Sequence, residues 1–216
     1  MEAAVTIWHI PLSGPATLDD LALLDSVERR RAERFLRDED RWRYVQAHAA
    51  IRRILAAEIG RQPDNLHLVA GEHGKPALAG RDIHFNLSHS GDHAVLATSF
   101  VAEVGIDIET SATEVGRIAH LVLTEREMAA FSVLLPNEQE WAFLRIWTRK
   151  EALLKAVGCG LGRDPRSVEV GLGHAPMLEL DGQRWRLRDF SLAPGVAGCL
   201  AADKEIAPVD IRPGAI

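Results

Sequence analysis

Hydrophobic residues recur with helical spacing and with strand-like alternation along the first half of the chain. The longest periodic segment is 40–59, where apolar residues return every three or four positions, as on a helix with one buried side. Gly60 follows it, and glycine commonly ends helices because it adopts a left-handed backbone without strain. The other predicted elements are strands at 5–10, 66–70, 83–87 and 94–100 and helices at 18–26 and 28–36. We therefore expect a long helix packed on a small sheet in this half.

The second half has a similar order of elements. Thr124 and Glu127 have the spacing of a capping box, which opens a helix, and a long helix is predicted over 138–157 after a break at Pro136. The remaining predicted elements are a helix at 114–123 and strands at Val104–Glu109, 167–170, Met177–Leu180, 183–190 and 196–202. The sequence therefore predicts an α+β protein with two related lobes, residues 1–101 and 102–216, and an active site in the cleft between them.

The strand Val104–Glu109 carries two carboxylates on one side. Ile106 and Ile108 alternate with Asp107 and Glu109. The period of two along a strand places both isoleucines on one face and both acids on the other. We expect an apolar face in the core and an acidic face directly beside it.

A second charged pair lies in the predicted helix 138–157. Glu151 and Lys155 are spaced i, i+4 and so share one helix face. If this helix packs on the acidic strand, three carboxylates and one ammonium meet, and oxygen ligands with room for water suit Mg²⁺. Taken singly, such features are most often solvated surface charges. Their combination favours a metal site for phosphoryl transfer.

Length and composition indicate an ordinary globular protein. The chain has 216 residues, of which 47% are hydrophobic and 26% are charged, and no apolar run approaches the length of a membrane span. The N-terminus lacks the basic segment of a secretory signal. We therefore expect a cytoplasmic protein that does not bind membranes. Cys159 and Cys199, which form no CxxC motif, fit that reducing compartment.

The charge distribution argues against general nucleic-acid binding. The formal net charge is −6, whereas sequence-independent phosphate binding needs a basic surface. Between residues 28 and 53, however, nine arginines stand against five acids, a local balance of +4 that leaves −10 for the rest of the chain. This stretch is either a solvated helix face or a site for a phosphate-bearing ligand or an acidic partner.

Four motifs that carry polar chemistry follow one another along the chain. They are Gly74-Lys75-Pro76, Phe85-Asn86-Leu87-Ser88-His89-Ser90-Gly91, Gly105-Ile106-Asp107-Ile108-Glu109, and Trp147-Thr148-Arg149-Lys150-Glu151-Ala152 with Lys155. Together they resemble the Sfp-like class of 4'-phosphopantetheinyl transferases, which move the phosphopantetheine arm of coenzyme A onto a serine of a carrier protein. Each motif is weak alone, but their common order is specific, and the resemblance covers most of the chain. It implies a monomer of two pseudo-symmetric lobes, each a long helix packed on a small antiparallel sheet.

The resemblance also implies roles for individual residues. Asp107, Glu109 and Glu151 resemble the family's Mg²⁺ ligands. Glu151, or a water that it orients, resembles the base for the carrier serine, and Lys155 resembles the residue that contacts the phosphates. The positions that match coenzyme A contacts are Gly74, Lys75, Pro76, Asn86, Ser88, His89 and Arg31.

The resemblance also extends to the arginine-rich helix predicted at 28–36. Arg31 falls where the family places a basic coenzyme A contact, and Arg34 shares its helix face. Glu28 stands where some relatives have a basic residue, which leaves the phosphate contacts of this helix open. A cationic His89 would add a charge-assisted hydrogen bond to the 3'-phosphate of the nucleotide.

Two other functions fit the same residues. A Mg²⁺-dependent phosphohydrolase would use the carboxylates with water as the nucleophile and would release 3',5'-ADP from coenzyme A without a carrier. A non-catalytic module that binds coenzyme A or a carrier would need neither Glu151 nor Lys155, whose presence argues against it. The sequence leaves open which acyl, peptidyl or aryl carrier protein is modified, whether acylated coenzyme A is accepted, and whether Mg²⁺ or Mn²⁺ is preferred.

Overall fold

The chain folds into helices and strands in the mixed order expected of an α+β protein. The computed structural model describes residues 4–71, 74–80, 82–110, 115–174 and 177–214. Their elements are β1 Thr6–Pro11, α1 Leu18–Leu23, α2 Ser26–Ala32, α3 Asp38–Ile59, β2 Leu68–Ala70, β3 Pro76–Leu78, β4 His84–Ser90, β5 His93–Ser99, β6 Val104–Glu109, α4 Val115–Val122, α5 Glu125–Ser132, α6 Pro136–Val157, β7 Met177–Leu180, β8 Gln183–Ser191, β9 Ala197–Ala202 and β10 Asp210–Pro213. No helix within these residues is both long enough and apolar enough to cross a membrane.

Two four-stranded sheets form the centre of the described structure, and a long helix covers one side of each. The first sheet has the strand order β10-β1-β5-β4 and the second has the order β6-β9-β8-β7, while β2 and β3 form a separate pair. Helix α3 packs on the first sheet through residues such as Leu55 and Phe85, and α6 packs on the second. The other faces of the two sheets meet through residues such as Ile7, Val95 and Ile106. The layers therefore run helix, sheet, sheet, helix, which confirms the predicted fold class.

Capping residues set the helix starts, which periodicity alone places only approximately. Asp25 accepts hydrogen bonds from the N–H groups of Val27 and Glu28, so α2 begins at Ser26, ahead of the predicted start. Pro136 begins α6 instead of breaking it, because the first N–H groups of a helix have no partner and proline lacks one. Gly60 ends α3 with a φ of 66°, as predicted.

The predicted strand at 167–170 is wrong. This segment begins in a 3-10 turn and has no strand pairing among the described residues. The N–H groups of Val170 and Gly171 instead donate to Glu127 Oε1 at 2.8 and 3.1 Å. A side chain therefore satisfies the backbone that a neighbouring strand would otherwise satisfy.

Strand β10 has no counterpart in the sequence prediction. It lies parallel to β1, with Asp210 opposite Thr6, and all four of its residues are exposed. The guanidinium of Arg212 lies 5.7 Å from the centroid of the Trp8 ring. The segment 210–213 therefore joins the sheet of the first lobe, although the predicted boundary after residue 101 assigns it to the second.

Glu28 lies in a buried polar cluster at the start of α2. Its carboxylate accepts hydrogen bonds from His48 Nδ1, the N–H of Asp25 and Arg52 Nε, each at 2.9 Å. Burial opposes ionisation, but these hydrogen bonds and the charge of His48 outweigh it and lower the pKa of Glu28 to about 2. Glu28 thus ties α2 to α3, which gives a structural reason for an acid at this position.

We expect Glu28→Gln to lower the free energy of unfolding by about 3 kcal/mol at pH 7, because the stabilisation that depresses this pKa is lost. The folded-state pKa of about 2 lies below the ordinary value of 4.5. The stabilisation is therefore complete above about pH 5 and disappears as the pH falls toward 2. Urea unfolding of both proteins between pH 2 and 7 measures the difference. Glu33→Gln, which removes an exposed carboxylate just after the same helix, is the control. A deficit for Glu28→Gln that stayed constant with pH would contradict this account.

Candidate functional site

Helix α6 approaches strand β6 most closely at Gly105. A Cβ atom on Gly105 would stand 2.8 Å from Ala156 Cα, and closer still to Ala152 O and Ala156 N. These are backbone atoms of α6, so only a residue without a side chain permits this distance. The close approach places Glu151 and Lys155 of the helix beside the carboxylates of the strand.

Asp107 is the most deeply buried carboxylate of this junction between β6 and α6. Its Oδ1 accepts hydrogen bonds from Lys155 Nζ at 2.6 Å and from Ser88 Oγ at 2.8 Å, while Oδ2 is buried without a hydrogen-bond partner. Burial raises the pKa of Asp107 to about 6, although the Lys155 ammonium and the Ser88 hydroxyl oppose the shift. A buried carboxylate oxygen without a donor is costly, and a bound cation would relieve that cost.

Glu151 lies one helical turn before Lys155 and is 8% exposed. Burial, followed by the negative charge of Asp107, raises the pKa of Glu151 to about 7. Its Oε1 is a second buried oxygen that lacks a hydrogen-bond partner. Carboxylates crowded and buried in this way bind a proton or a cation more readily than separate, solvated ones.

Glu109 is held at the edge of the same junction by two donors. Ser90 Oγ donates to its Oε2 at 2.9 Å, and Trp147 Nε1 donates to its Oε1 at 3.2 Å. Trp147 stacks on Phe143 with 6.4 Å between the ring centroids. Each oxygen of Glu109 keeps a further lone pair, since a carboxylate can accept about four hydrogen bonds.

The three predicted metal ligands lie around the junction between β6 and α6, but their side chains are not arranged as a metal-binding group. No group of three or more His, Cys, Asp or Glu side chains in the described parts of the chain is arranged to hold a metal ion. Lys155 engages one oxygen of Asp107, and neighbouring donors engage Glu109. The donor chemistry nevertheless fits a hard divalent cation, because Asp107 and Glu151 each present a buried oxygen without a partner.

Two of the predicted coenzyme A contacts, Asn86 and Ser88, have partners within the protein. Asn86 Oδ1 accepts a hydrogen bond from the N–H of Ile106 at 2.9 Å, and Ser88 Oγ accepts one from Lys155 Nζ at 3.1 Å. Both side chains are buried. They join β4 to the carboxylate strand, and their contact with coenzyme A stays a prediction.

His89 lies beside this group on β4 and is exposed. Desolvation, followed by the positive charge of Lys155, lowers the pKa of His89. The neutral imidazole is thus favoured, in contrast to the cationic form expected from the sequence. The negative charge of a bound phosphate would act in the opposite direction.

Lys75 marks the other end of the junction between β6 and α6. Its Nζ donates to Val104 O at 3.1 Å and to Ala156 O at 3.2 Å, and desolvation lowers the pKa of this ammonium. Gly74 turns the chain with a φ of 83°, and Pro76 begins β3. Lys75 and Pro76 line a cavity of about 630 Å³ together with residues of β4, α6 and β8, a volume typical of small-molecule sites.

Arg31 is not part of the carboxylate group. It is exposed on α2, where its guanidinium lies 5.8 Å from the centroid of the Tyr44 ring, and Tyr44 in turn packs on His48 with 4.0 Å between centroids. With Arg30 and Arg34 it lines a surface cavity of about 750 Å³. Its assignment as a coenzyme A contact stays a prediction.

Two buried basic residues support the site, and the sequence analysis named them within a motif without giving them a role. Arg149 donates to both carboxylate oxygens of Asp189 at 2.9 and 2.6 Å, and Lys150 Nζ lies 2.6 Å from Glu127 Oε2. Both side chains are fully buried. They anchor α6 immediately before Glu151. The available signal was a pair of adjacent basic residues in an otherwise largely apolar stretch of helix.

Known proteins resemble the chain over most of its length. A family model described as "4'-phosphopantetheinyl transferase, N-terminal" matches residues 15–101, and one described as "4'-phosphopantetheinyl transferase superfamily" matches residues 103–196.

Individual relatives carry the same description. The chain is 35% identical to 4'-phosphopantetheinyl transferase HetI of Nostoc sp. over 176 residues, which are 78% of this chain and 74% of the relative. It is 31% identical to a 4'-phosphopantetheinyl transferase of Bacillus subtilis over 176 residues, 80% of this chain and 78% of the relative. A shorter match, 46% identical over 94 residues, covers 42% of this chain and 49% of 4'-phosphopantetheinyl transferase AcpT of Salmonella typhimurium. The chain belongs to the 4'-phosphopantetheinyl transferase superfamily and is a transferase of this type.

Proposed function

We propose that this transferase moves the 4'-phosphopantetheine group of coenzyme A onto a serine hydroxyl of an apo acyl, peptidyl or aryl carrier protein. The second product is 3',5'-ADP, and Asp107, Glu109 and Glu151 hold the Mg²⁺ that the reaction requires. The observation that carries the proposal is the pair of buried carboxylate oxygens, on Asp107 and Glu151, that lack partners beside the Lys155 ammonium. These groups suit a cation and a pyrophosphate together.

The transfer forms one phosphorus–oxygen bond and breaks another. The carrier serine oxygen attacks the phosphorus that bears the pantetheine arm, and the bond from that phosphorus to 3',5'-ADP breaks with its electron pair on the leaving group. The serine proton passes to Glu151 or to a water that Glu151 orients, because a serine hydroxyl is a weak nucleophile until its proton has an acceptor. Bound Mg²⁺ supplies Lewis-acid polarisation of the phosphate oxygens and offsets charge on the leaving group.

Cationic and polar side chains around the junction would hold the rest of coenzyme A. Lys155 Nζ donates to Asp107 Oδ1 at 2.6 Å, to Ser88 Oγ at 3.1 Å and to Ile106 O at 3.4 Å. The hydrogen bond to Ile106 O is the longest, so a phosphate oxygen would replace that carbonyl as an acceptor while the ion pair with Asp107 remains. Nucleotide contacts are proposed for Gly74, Lys75 and Pro76 at the cavity beside β4, α6 and β8, for Asn86, Ser88 and His89 on β4 and the edge of the junction, and for Arg31 on α2.

We also propose that the protein is a cytoplasmic monomer that binds neither nucleic acid nor membranes. The net charge of −6 argues against nucleic-acid binding. Two lobes, 1–101 and 102–216, fit the two family models, which meet between residues 101 and 103. Strand β10 is the exception to this division.

Intact mass spectrometry of a purified apo carrier protein tests the proposal. After incubation with this protein, coenzyme A and Mg²⁺, we expect the carrier to gain the mass of one phosphopantetheine. A parallel sample with EDTA should show no gain, because chelation removes the cation.

The same assay distinguishes the alternative functions. Coenzyme A consumed with no carrier of any type modified would indicate a phosphohydrolase. Coenzyme A left intact, again with no carrier modified, would indicate a binding module. Either result would overturn the proposed transfer.

A further inference from the structure

Strands β4 and β6 are the facing edge strands of the two sheets, and side chains join them in place of a backbone ladder. Every second residue of β4, starting at Asn86, offers a side-chain oxygen to a backbone N–H group in or just after β6. The three hydrogen bonds run from Ile106 N to Asn86 Oδ1 at 2.9 Å, from Ile108 N to Ser88 Oγ at 3.4 Å and from Thr110 N to Ser90 Oγ at 3.1 Å. The common spacing of two residues fixes one register between the lobes.

Two of these side chains also reach the carboxylates of the site. Ser88 Oγ donates to Asp107 Oδ1 at 2.8 Å, and Ser90 Oγ donates to Glu109 Oε2 at 2.9 Å. A hydroxyl has one hydrogen and two lone pairs, so each serine can accept a backbone N–H and donate to a carboxylate at the same time. The hydrogen bonds that set the register between β4 and β6 therefore also orient the two serine hydroxyls that donate to the carboxylates.

Glu109 depends on this support more than the other two carboxylates. Asp107 is also held by Lys155, and Glu151 is enclosed on α6. The side-chain donors that Glu109 has in the described structure are Ser90 Oγ and Trp147 Nε1, and they approach different oxygens. A rotation of the carboxylate about its last bond would break both hydrogen bonds, so the two donors together fix its plane.

We propose that Ser90, acting with Trp147, is a positioning residue that orients the Glu109 carboxylate for a divalent cation shared with Asp107 and Glu151. This inference deepens the proposed function and rests on it. Removal of a group that orients a metal ligand typically weakens metal binding about 10–100-fold. Ser90 thus sets the affinity for the cation without touching the cation or the substrate.

Direct titration with Mn²⁺, followed by the electron paramagnetic resonance signal of the free ion, measures this affinity without a carrier or coenzyme A. We expect Ser90→Ala in the full chain to raise the Kd for Mn²⁺ at least about 10-fold. Ser90→Thr, which keeps the hydroxyl, should largely restore it. Ser191→Ala is the matched control, because the partners of the Ser191 hydroxyl among the described residues are the nearby carbonyls of Ala193 and Val196. Its removal should leave the Kd unchanged.

A double-mutant cycle separates positioning from a general loosening of the junction between β4 and β6. If Ser90 acts through Glu109, Ser90→Ala should have no further effect on the Kd in a Glu109→Ala background. An equal loss of affinity in both backgrounds would mean that Ser90 only holds the two strands together, and this would overturn the proposal.

The outcomes also separate this proposal from the proposed function. An unchanged Kd in folded Ser90→Ala, with the wild-type protein still modifying the carrier, overturns the positioning role alone. A wild-type protein that binds no Mn²⁺ and modifies no carrier overturns both.

Discussion

Replacing Glu151 by alanine is expected to lower kcat/KM for carrier modification by about 10²–10⁴-fold, the range for loss of a group that accepts a proton in the transition state. The substitution also removes a buried oxygen that suits a cation. It should not weaken the fold, because the raised pKa of about 7 means that the folded state disfavours the ionised form of this carboxyl. Initial rates from carrier mass spectra at saturating Mg²⁺ measure the loss of kcat/KM. The midpoint of urea unfolding measures the stability of the variant.

Glu179→Ala is the matched control, because Glu179 is an exposed glutamate on the outer strand β7 of the same sheet. Full turnover by Glu151→Ala would contradict the mechanism. Glu151→Gln separates the two roles of Glu151. If its rate recovers at high Mg²⁺, Glu151 serves as a ligand and not as the base.

The core of the site was predictable because strict local periods govern it. The alternation of Ile106 and Ile108 with Asp107 and Glu109 predicts the position of both acids as soon as one face of the strand is known to be buried. Both isoleucines are fully buried between the sheets. The i, i+4 spacing of Glu151 and Lys155 requires only a helix, and packing of that helix on β6 brings them to the acids.

Contacts between distant segments were not predictable in the same way. The hydrogen bonds of Asn86 and Ser88 to β6 depend on the register between two sheets, which no local period specifies. Arg149 and Lys150 look like solvated charges until the loops that supply their partners are in place. Strand β10 is exposed and short, so it lacks the buried alternation that identifies a strand.

Gly105→Ala is expected to lower the stability of the protein strongly. The added Cβ would lie 2.8 Å from Ala156 Cα and within closer range of two further backbone atoms of α6. Backbone atoms cannot rotate away as a side chain would, so the helix must move outward. We expect the free energy of unfolding to fall by about 3 kcal/mol, the upper end of the usual range for overpacking. Urea unfolding measures the change.

Activity should fall further than stability alone requires, because Glu151 and Lys155 move with the helix. A displacement of about 1 Å in a catalytic group can cost roughly 10²-fold in rate. Initial rates, measured under conditions where the variant remains folded, would show this loss. Gly173→Ala is the control, because a Cβ there would meet no atom within 4 Å, and it should change stability little. A Gly105→Ala protein with native stability and full activity would mean that α6 does not depend on glycine at this point. The carboxylates and the ammonium would then owe their proximity to the other contacts of α6, which are its apolar packing on the sheet and the anchors at Arg149 and Lys150.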